Sequence, residues 1–160
     1  MKPAAALMML SLAALLGGCA GAGSLVAGQS TEADVRARMG APTGTRTEGG
    51  DKLLEYATGP EGVRTELVRI GADGKVKEVT QLLTEDRLNA IVPGKTTQAE
   101  VRNLLGRPAF EIAYRAGLGW SWRHLKGGVQ PGYIVVSFNP DGTVRERLII
   151  LDQQDLSGGK

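Results

Sequence analysis

Leu25-Val-Ala-Gly-Gln-Ser-Thr-Glu-Ala-Asp-Val-Arg-Ala-Arg-Met-Gly-Ala-Pro42 returns later in the same chain as Ile91-Val-Pro-Gly-Lys-Thr-Thr-Gln-Ala-Glu-Val-Arg-Asn-Leu-Leu-Gly-Arg-Pro108, at an offset of 66. Identical residues stand at Val26/Val92, Gly28/Gly94, Thr31/Thr97, Ala33/Ala99, Val35/Val101, Arg36/Arg102, Gly40/Gly106 and Pro42/Pro108. Downstream, Leu54 and Tyr56 align with Trp120 and Trp122. Two extra residues later, Ala72-Asp73-Gly74 aligns with Pro140-Asp141-Gly142. One supersecondary unit is therefore written twice, and any fold proposed for one half must serve the other.

Each copy opens with a helix signal. Thr31-Glu-Ala-Asp34 and Thr97-Gln-Ala-Glu100 are capping boxes, in which the hydroxyl meets an orphan backbone N–H and the carboxylate reaches back. Val35 with Met39, and Val101 with Leu105, lie one turn apart and set one apolar face. Gly40 and Gly106 are placed for a left-handed C′ residue, and the Pro two positions on blocks continuation. Helices of about eight to ten residues follow from this grammar, with a further short helix over 84–90 capped by Thr84. Strand signals then cover 52–58, 63–70 and 75–83 in the first copy, and 120–125, 133–139 and 144–151 in the second. Asp73-Gly74 and Asp141-Gly142 mark tight turns between extended runs. In 63–70 the alternation breaks at Leu67-Val68, which predicts a bulge or a strand buried on both sides. The expected fold class is α+β: two tandem helix-plus-three-stranded antiparallel β-meander units, in two layers, over 25–83 and 84–152.

The residues ahead of the first copy read as a processing signal. Lys2 is followed by a run at 4–16 that is apolar except for Ser11. At thirteen residues it is shorter than the roughly 20 needed to span a bilayer as a helix. Leu16-Gly17-Gly18-Cys19 resembles the bacterial lipobox. That resemblance implies removal of 1–18, lipidation of Cys19, and attachment to the bilayer through its acyl chains. Ala20, where Asp commonly marks inner-membrane retention, points to the periplasmic face of the outer membrane. Residues 19–24 then form a lipidated, Gly/Ala-rich tether, and 153–160 a flexible tail. Two or more acyl chains hold a protein to a membrane without help from its surface.

The tandem motif Gly-x-Thr/Ser-x-x-x-Val-x-x-x-x-Gly-x-Pro, followed by an aromatic strand and by Phe138-Asn-Pro-Asp-Gly-Thr-Val144, resembles the SmpA/OmlA domain of BamE-like outer-membrane lipoproteins. The second copy carries the resemblance best, and the two copies together cover nearly the whole chain after Cys19. It implies a role as a protein-interaction module in outer-membrane protein assembly or envelope integrity, with barrel-assembly components as partners. A tandem of such units also looks like β-lactamase inhibitory protein. That likeness implies an alternative, an inhibitor-type binder gripping an envelope enzyme across its sheet.

The chemistry the sequence withholds points the same way. With one Cys and one His in 160 residues, neither a Cys–His nucleophile pair nor a His-based metal centre can be assembled once Cys19 is lipidated. Ile91-Val-Pro-Gly-Lys-Thr-Thr97 fails as a phosphate loop, because Asn89 occupies the first Gly position and a helix precedes it. A net charge of +2 leaves no basic stripe for nucleic acid. No catalytic residue, cofactor, metal or small-molecule substrate is expected. Residues 25–90 carry 9 basic and 11 acidic side chains, and 91–160 carry 9 and 6. Those balances, −2 and +3, favour docking of one half on the other. The candidate partner-binding residues are Tyr114, Trp120, Trp122 and Arg123, the residue types that carry interface energy. Packing of the two Trp as core is the competing reading.

Overall fold

The computed structural model describes residues 25–59, 62–115 and 117–152. The expected signal segment, Cys19, the tether and the tail at 153–160 lie outside the described residues. The order of elements is α1 (Glu32–Met39), β1 (Gly44–Glu48), β2 (Asp51–Thr58), β3 (Arg64–Ile70), β4 (Val76–Gln81), α2 (Glu85–Asn89), α3 (Gln98–Leu105), β5 (Phe110–Tyr114), β6 (Gly117–Lys126), β7 (Gln130–Phe138) and β8 (Val144–Leu151). The strands form two antiparallel sheets, β1-β2-β3-β4 and β5-β6-β7-β8. The fold is α+β, and each sheet has four strands where three were expected.

The missing strand in each copy is the first. β1 pairs with β2 from Gly44↔Glu55 to Glu48↔Asp51, and β5 with β6 from Phe110↔Ser121 to Tyr114↔Gly117. β1 is polar and mostly exposed, so burial leaves no alternation to read. β5 does alternate, as Phe110-x-Ile112-x-Tyr114, but none of its residues is buried. Ladder hydrogen bonds, not an apolar face, hold both in place.

The capping boxes form as read. Thr31 N–H donates to Asp34 at 2.8 Å, and Thr97 N–H to Glu100 at 2.7 Å. Each helix start is then pinned to its own hairpin turn, since Glu32 N–H donates to the Gly74 carbonyl and Gln98 N–H to that of Gly142. Thr84 caps α2. Gly40 and Gly106 do have positive φ (79° and 78°), but their ψ values of −152° and −167° are extended, not left-handed helical. That region belongs almost wholly to Gly. It turns the chain sharply from the helix into the first strand of each sheet.

Val35 of α1 is fully buried against Leu54, Tyr56, Val68, Ile70 and Val76. In the second copy Val101 and Leu105 of α3 pack on Trp122, Ile134, Val136, Phe138 and Val144, with Leu88 of α2 alongside. Burying each such side chain contributes about 1.5–3 kcal/mol. Leu67 and Val68, adjacent in β3, are both buried on opposite faces. The register shifts between Arg69 and Ile70, and the same shift recurs between Ser137 and Phe138. Both features anticipated for 63–70, a bulge and a two-sided strand, are therefore present.

Candidate interaction surface

Residues paired across a ladder point to the same face, so the register sorts every side chain of the second sheet. One face carries Trp120, Trp122, His124, Ile134, Val136 and Phe138, and the helices cover it. The opposite face carries Phe110, Ile112 and Tyr114 from β5, Ser121 and Arg123 from β6, Tyr133 and Val135 from β7, and Glu146, Leu148 and Ile150 from β8. Phe110, Ile112, Tyr114, Leu148 and Ile150 are each between 42% and 55% exposed. Clustered apolar residues left in water on one flat surface mark an interaction site more often than chance exposure does.

The centre of this face is lined by small residues. Gly119 and Ser121 lie beneath the β5 side chains, and a Cβ built on Gly119 would meet the Tyr114 ring at 2.5 Å. The ring therefore lies down on the sheet and makes the face flat. Arg123 stands 4.6 Å over the Tyr133 ring and pairs with Asp152 at 3.4 Å. Its charge is neutralised at the margin of the face, which leaves the middle uncharged.

Of the four residues expected to meet a partner, Tyr114 and Arg123 share this face. Trp120 and Trp122 are on the other. Trp122 is only 2% exposed, and its Nε1–H donates to the Gly106 carbonyl at 3.3 Å. Trp120 packs edge-on to Trp122 and Phe138. Period-2 alternation placed Trp120, Trp122 and His124 together, but only the position of α3 decides which face is core. The residues missed, Phe110, Ile112, Leu148 and Ile150, were legible in part as the alternation Phe110-x-Ile112-x-Tyr114 and as the unbroken run Leu148-Ile149-Ile150-Leu151.

The first sheet shows what the same face does in the other copy. There, the positions matching Ile112, Ser121 and Ser137 are Arg46, Glu55 and Arg69. Glu55 is buried and accepts from Arg102 Nη1 at 2.8 and 2.9 Å, from the Arg107 backbone N–H at 3.0 Å, and from Arg46. Arg107 also reaches the Thr43 carbonyl at 3.0 Å. The C-terminal turn of α3 thus caps the first sheet while its Val101 and Leu105 face the second. Gly106 sits so close that a Cβ would come within 3.0 Å of both Leu82 and Thr65. The matching face of the second sheet has no such cap among the described residues.

His124 is buried on the helix side, where desolvation lowers its pKa against the opposing field of Glu85. Its Nε2 has no hydrogen-bond partner among the described residues. No group of three His, Cys, Asp or Glu among them could hold a metal ion, and no described helix is long and apolar enough to cross a membrane.

No family model matches the chain, and no curated protein matches it. Among solved structures, the chain is similar to the DUF4309 family protein YjgB of Bacillus subtilis at 16% identity and a TM-score of 0.31, covering 81% of this chain and 83% of that one. It is also similar to an extracellular protein containing a SCP domain from Bacillus anthracis, at 10% identity and a TM-score of 0.33. That match covers 92% of this chain and 51% of the other.

Proposed function

We propose that this protein is a lipid-anchored protein-interaction module on the periplasmic face of the outer membrane, a tandem of two BamE-like units acting in outer-membrane protein assembly or envelope integrity. The observation that carries the reading is the apolar face of the second sheet, left open among the described residues and flanked by Ile112 and Ile150 on its outer strands. Acyl chains on Cys19 confine the domain to a surface, so a modest contact acts at a high effective concentration. The lipobox resemblance at Leu16-Gly17-Gly18-Cys19 and the tandem motif support the location and the class of partner.

The inhibitor-type alternative draws its support from the same aromatic face. The sheets here are separate, so such an inhibitor would grip its enzyme with the second sheet alone.

The test is affinity purification of the full chain, tagged at its C-terminus, from detergent-solubilised envelopes, with Cys19→Ala and Ile112→Lys variants in parallel. Barrel-assembly subunits recovered with the wild type and lost with Ile112→Lys are the expected result. A single soluble envelope enzyme, recovered equally with and without the lipid, would promote the inhibitor. Recovery indifferent to Ile112→Lys would remove the face from the account.

A further inference from the structure

Accepting that the open face of the second sheet is a binding surface, we infer that its occupant is a second copy of this chain, seated face to face so that the two second sheets form a β-sandwich across a two-fold axis.

The composition of the strands is the first ground. β7 reads Tyr133-Ile134-Val135-Val136 and β8 reads Leu148-Ile149-Ile150-Leu151, apolar on both faces. A sheet with one face in water alternates, whereas an unbroken apolar run belongs to a strand covered on both sides. The helices bury Ile134 and Val136 on one side, although Ile149 of β8 stays 39% exposed there, and the other side calls for a second apolar layer.

The second ground is what changed between the repeats. Gly44, Arg46, Glu48, Glu55, Arg69 and Thr80 of the first sheet correspond to Phe110, Ile112, Tyr114, Ser121, Ser137 and Leu148 of the second. Glu55, which receives the basic helix end in the first sheet, is replaced by Ser121, Glu78 is retained as Glu146, and large apolar groups stand at the margins. Apart from Arg123, which is paired with Asp152, and Glu146 on the outer strand β8, the face is uncharged, and a two-fold axis along the strands sets the two β8 strands at opposite margins, so the two Glu146 side chains are not opposed.

The third ground excludes the other way a copy could bind. Head-to-tail stacking would seat α1 of one copy on the second sheet of the next, as α3 sits on the first sheet. The α3 contact depends on Arg102 reaching Glu55, and Gln98, one turn back, makes no ion pair with it. In α1 the matching residue is Glu32, which holds Arg36 at 2.9 Å. The acceptor position is Ser121, not an acid. Neither half of the internal contact is reproduced, and a closed, isologous pair is what remains.

Size sets the strength. Four strands spaced about 4.8 Å apart and eight residues rising about 3.4 Å each give a face of roughly 500 Å² per copy. Both copies together bury about 1,000 Å², the lower bound for a specific interface. Such a pair is weak in dilute solution and is populated where anchors crowd the copies on one surface. A two-fold axis along the strand direction lays β5 of one copy over β8 of the other. Phe110 then meets Leu148 across sheets about 10 Å apart.

The experiment uses the full chain in bacterial envelopes. A Phe110→Cys/Leu148→Cys variant is treated with a short bismaleimide, whose reach matches facing sheets about 10 Å apart, and read on denaturing gels with mass spectrometry of the linked peptides. Within one chain the two positions are three strand spacings apart, about 14 Å, farther than the about 10 Å between facing sheets, and a link within one chain would run at the monomer mass. A 110–148 link therefore reports a second copy. We expect a band at twice the monomer mass, absent from the wild type with Cys19 alone and from a Phe110→Cys/Ala37→Cys control. Adding Ile112→Lys should abolish the band while leaving the melting temperature within about two degrees of wild type. Folded protein that stays monomeric overturns the pairing. An adduct with a different envelope protein overturns it too, but leaves the wider reading of this face intact. No adduct at all, together with pull-downs unchanged by Ile112→Lys, overturns both.

Discussion

The Glu55 carboxylate, buried on the first sheet, holds the Arg102 guanidinium of α3 in a two-oxygen contact at 2.8 and 2.9 Å, across 47 residues of chain. The charge imbalance that favoured docking of one half on the other in the sequence meets here as one contact, an acid of the acidic half with an Arg of the basic one. Because α3 belongs by packing to the second sheet, this contact ties the two units together.

Removing Glu55 should therefore uncouple the units as well as destabilise them. Breaking a buried pair costs about 3–5 kcal/mol; with Arg102 29% exposed, a loss of about 2–3 kcal/mol is expected for Glu55→Ala. Urea unfolding followed separately by Trp fluorescence, which reports the second unit, and by far-ultraviolet circular dichroism should give non-coincident transitions for the variant and coincident ones for the wild type.

The two capping boxes should be equivalent in strength. Thr31→Ala and Thr97→Ala each remove an N-cap acceptor and free a carboxylate, at a cost of about 1 kcal/mol. Equal shifts in urea midpoint are the expected outcome, and Thr→Ser at either position should restore most of the loss.

Gly132 is required by close approach. Its Cβ would stand 2.4 Å from the Ile150 carbonyl oxygen and 3.1 Å from the Leu151 Cα, contacts with backbone that no rotamer relieves. Gly132→Ala should push the end of β8 off β7 and expose that edge. Hydrogen exchange at Ile150 and Leu151 should rise well before the rest of the sheet.

Acid should act in two windows. Burial lowers the His124 pKa from its ordinary 6.5, so below that pH the unfolded chain takes up a proton that the folded one refuses. Stability then falls as pH drops from about 7 towards 5. His124→Leu should flatten this window. The carboxyls of Glu32, Asp34, Asp51, Glu100 and Asp141 are all lowered, by Lys52, the Thr31 N–H, Lys77, the Thr97 N–H and the Thr143 hydroxyl respectively. Their contribution is present above about pH 4.5 and is lost as pH falls through their folded values. Urea midpoints at pH 7.5, 5.5 and 3.5 separate the two effects, and the acid limb should survive in His124→Leu.

Much of the fold was legible because its signals are local. Thr31-Glu-Ala-Asp34 closes its cap within one turn, Asp73-Gly74 makes its own bend, and Val35 and Val101 declare a face by spacing alone. β1 escaped because it is polar and mostly exposed, and β5 because its alternation spans only five residues, none of them buried; the other two edge strands, β4 and β8, were legible from their apolar residues. The candidate surface was half legible. Tyr114 and Arg123 were marked by residue type. The Trp pair was marked by the same rule and went to the opposite face, since period 2 separates two faces without saying which one meets the helix.

What the sequence determined by itself is the repeated unit, its caps and turns, the apolar faces of its helices, and a content of one His and one Cys. Each of these depends on residues a few positions apart, or on composition. Only the tertiary structure decided that Glu55 receives Arg102, that α3 is wedged between the two sheets, and that the face of Ile112 and Ile150 is left in water. Those relations join residues tens of positions apart, and they exist only once the packing of one helix has fixed which side of each sheet is inside.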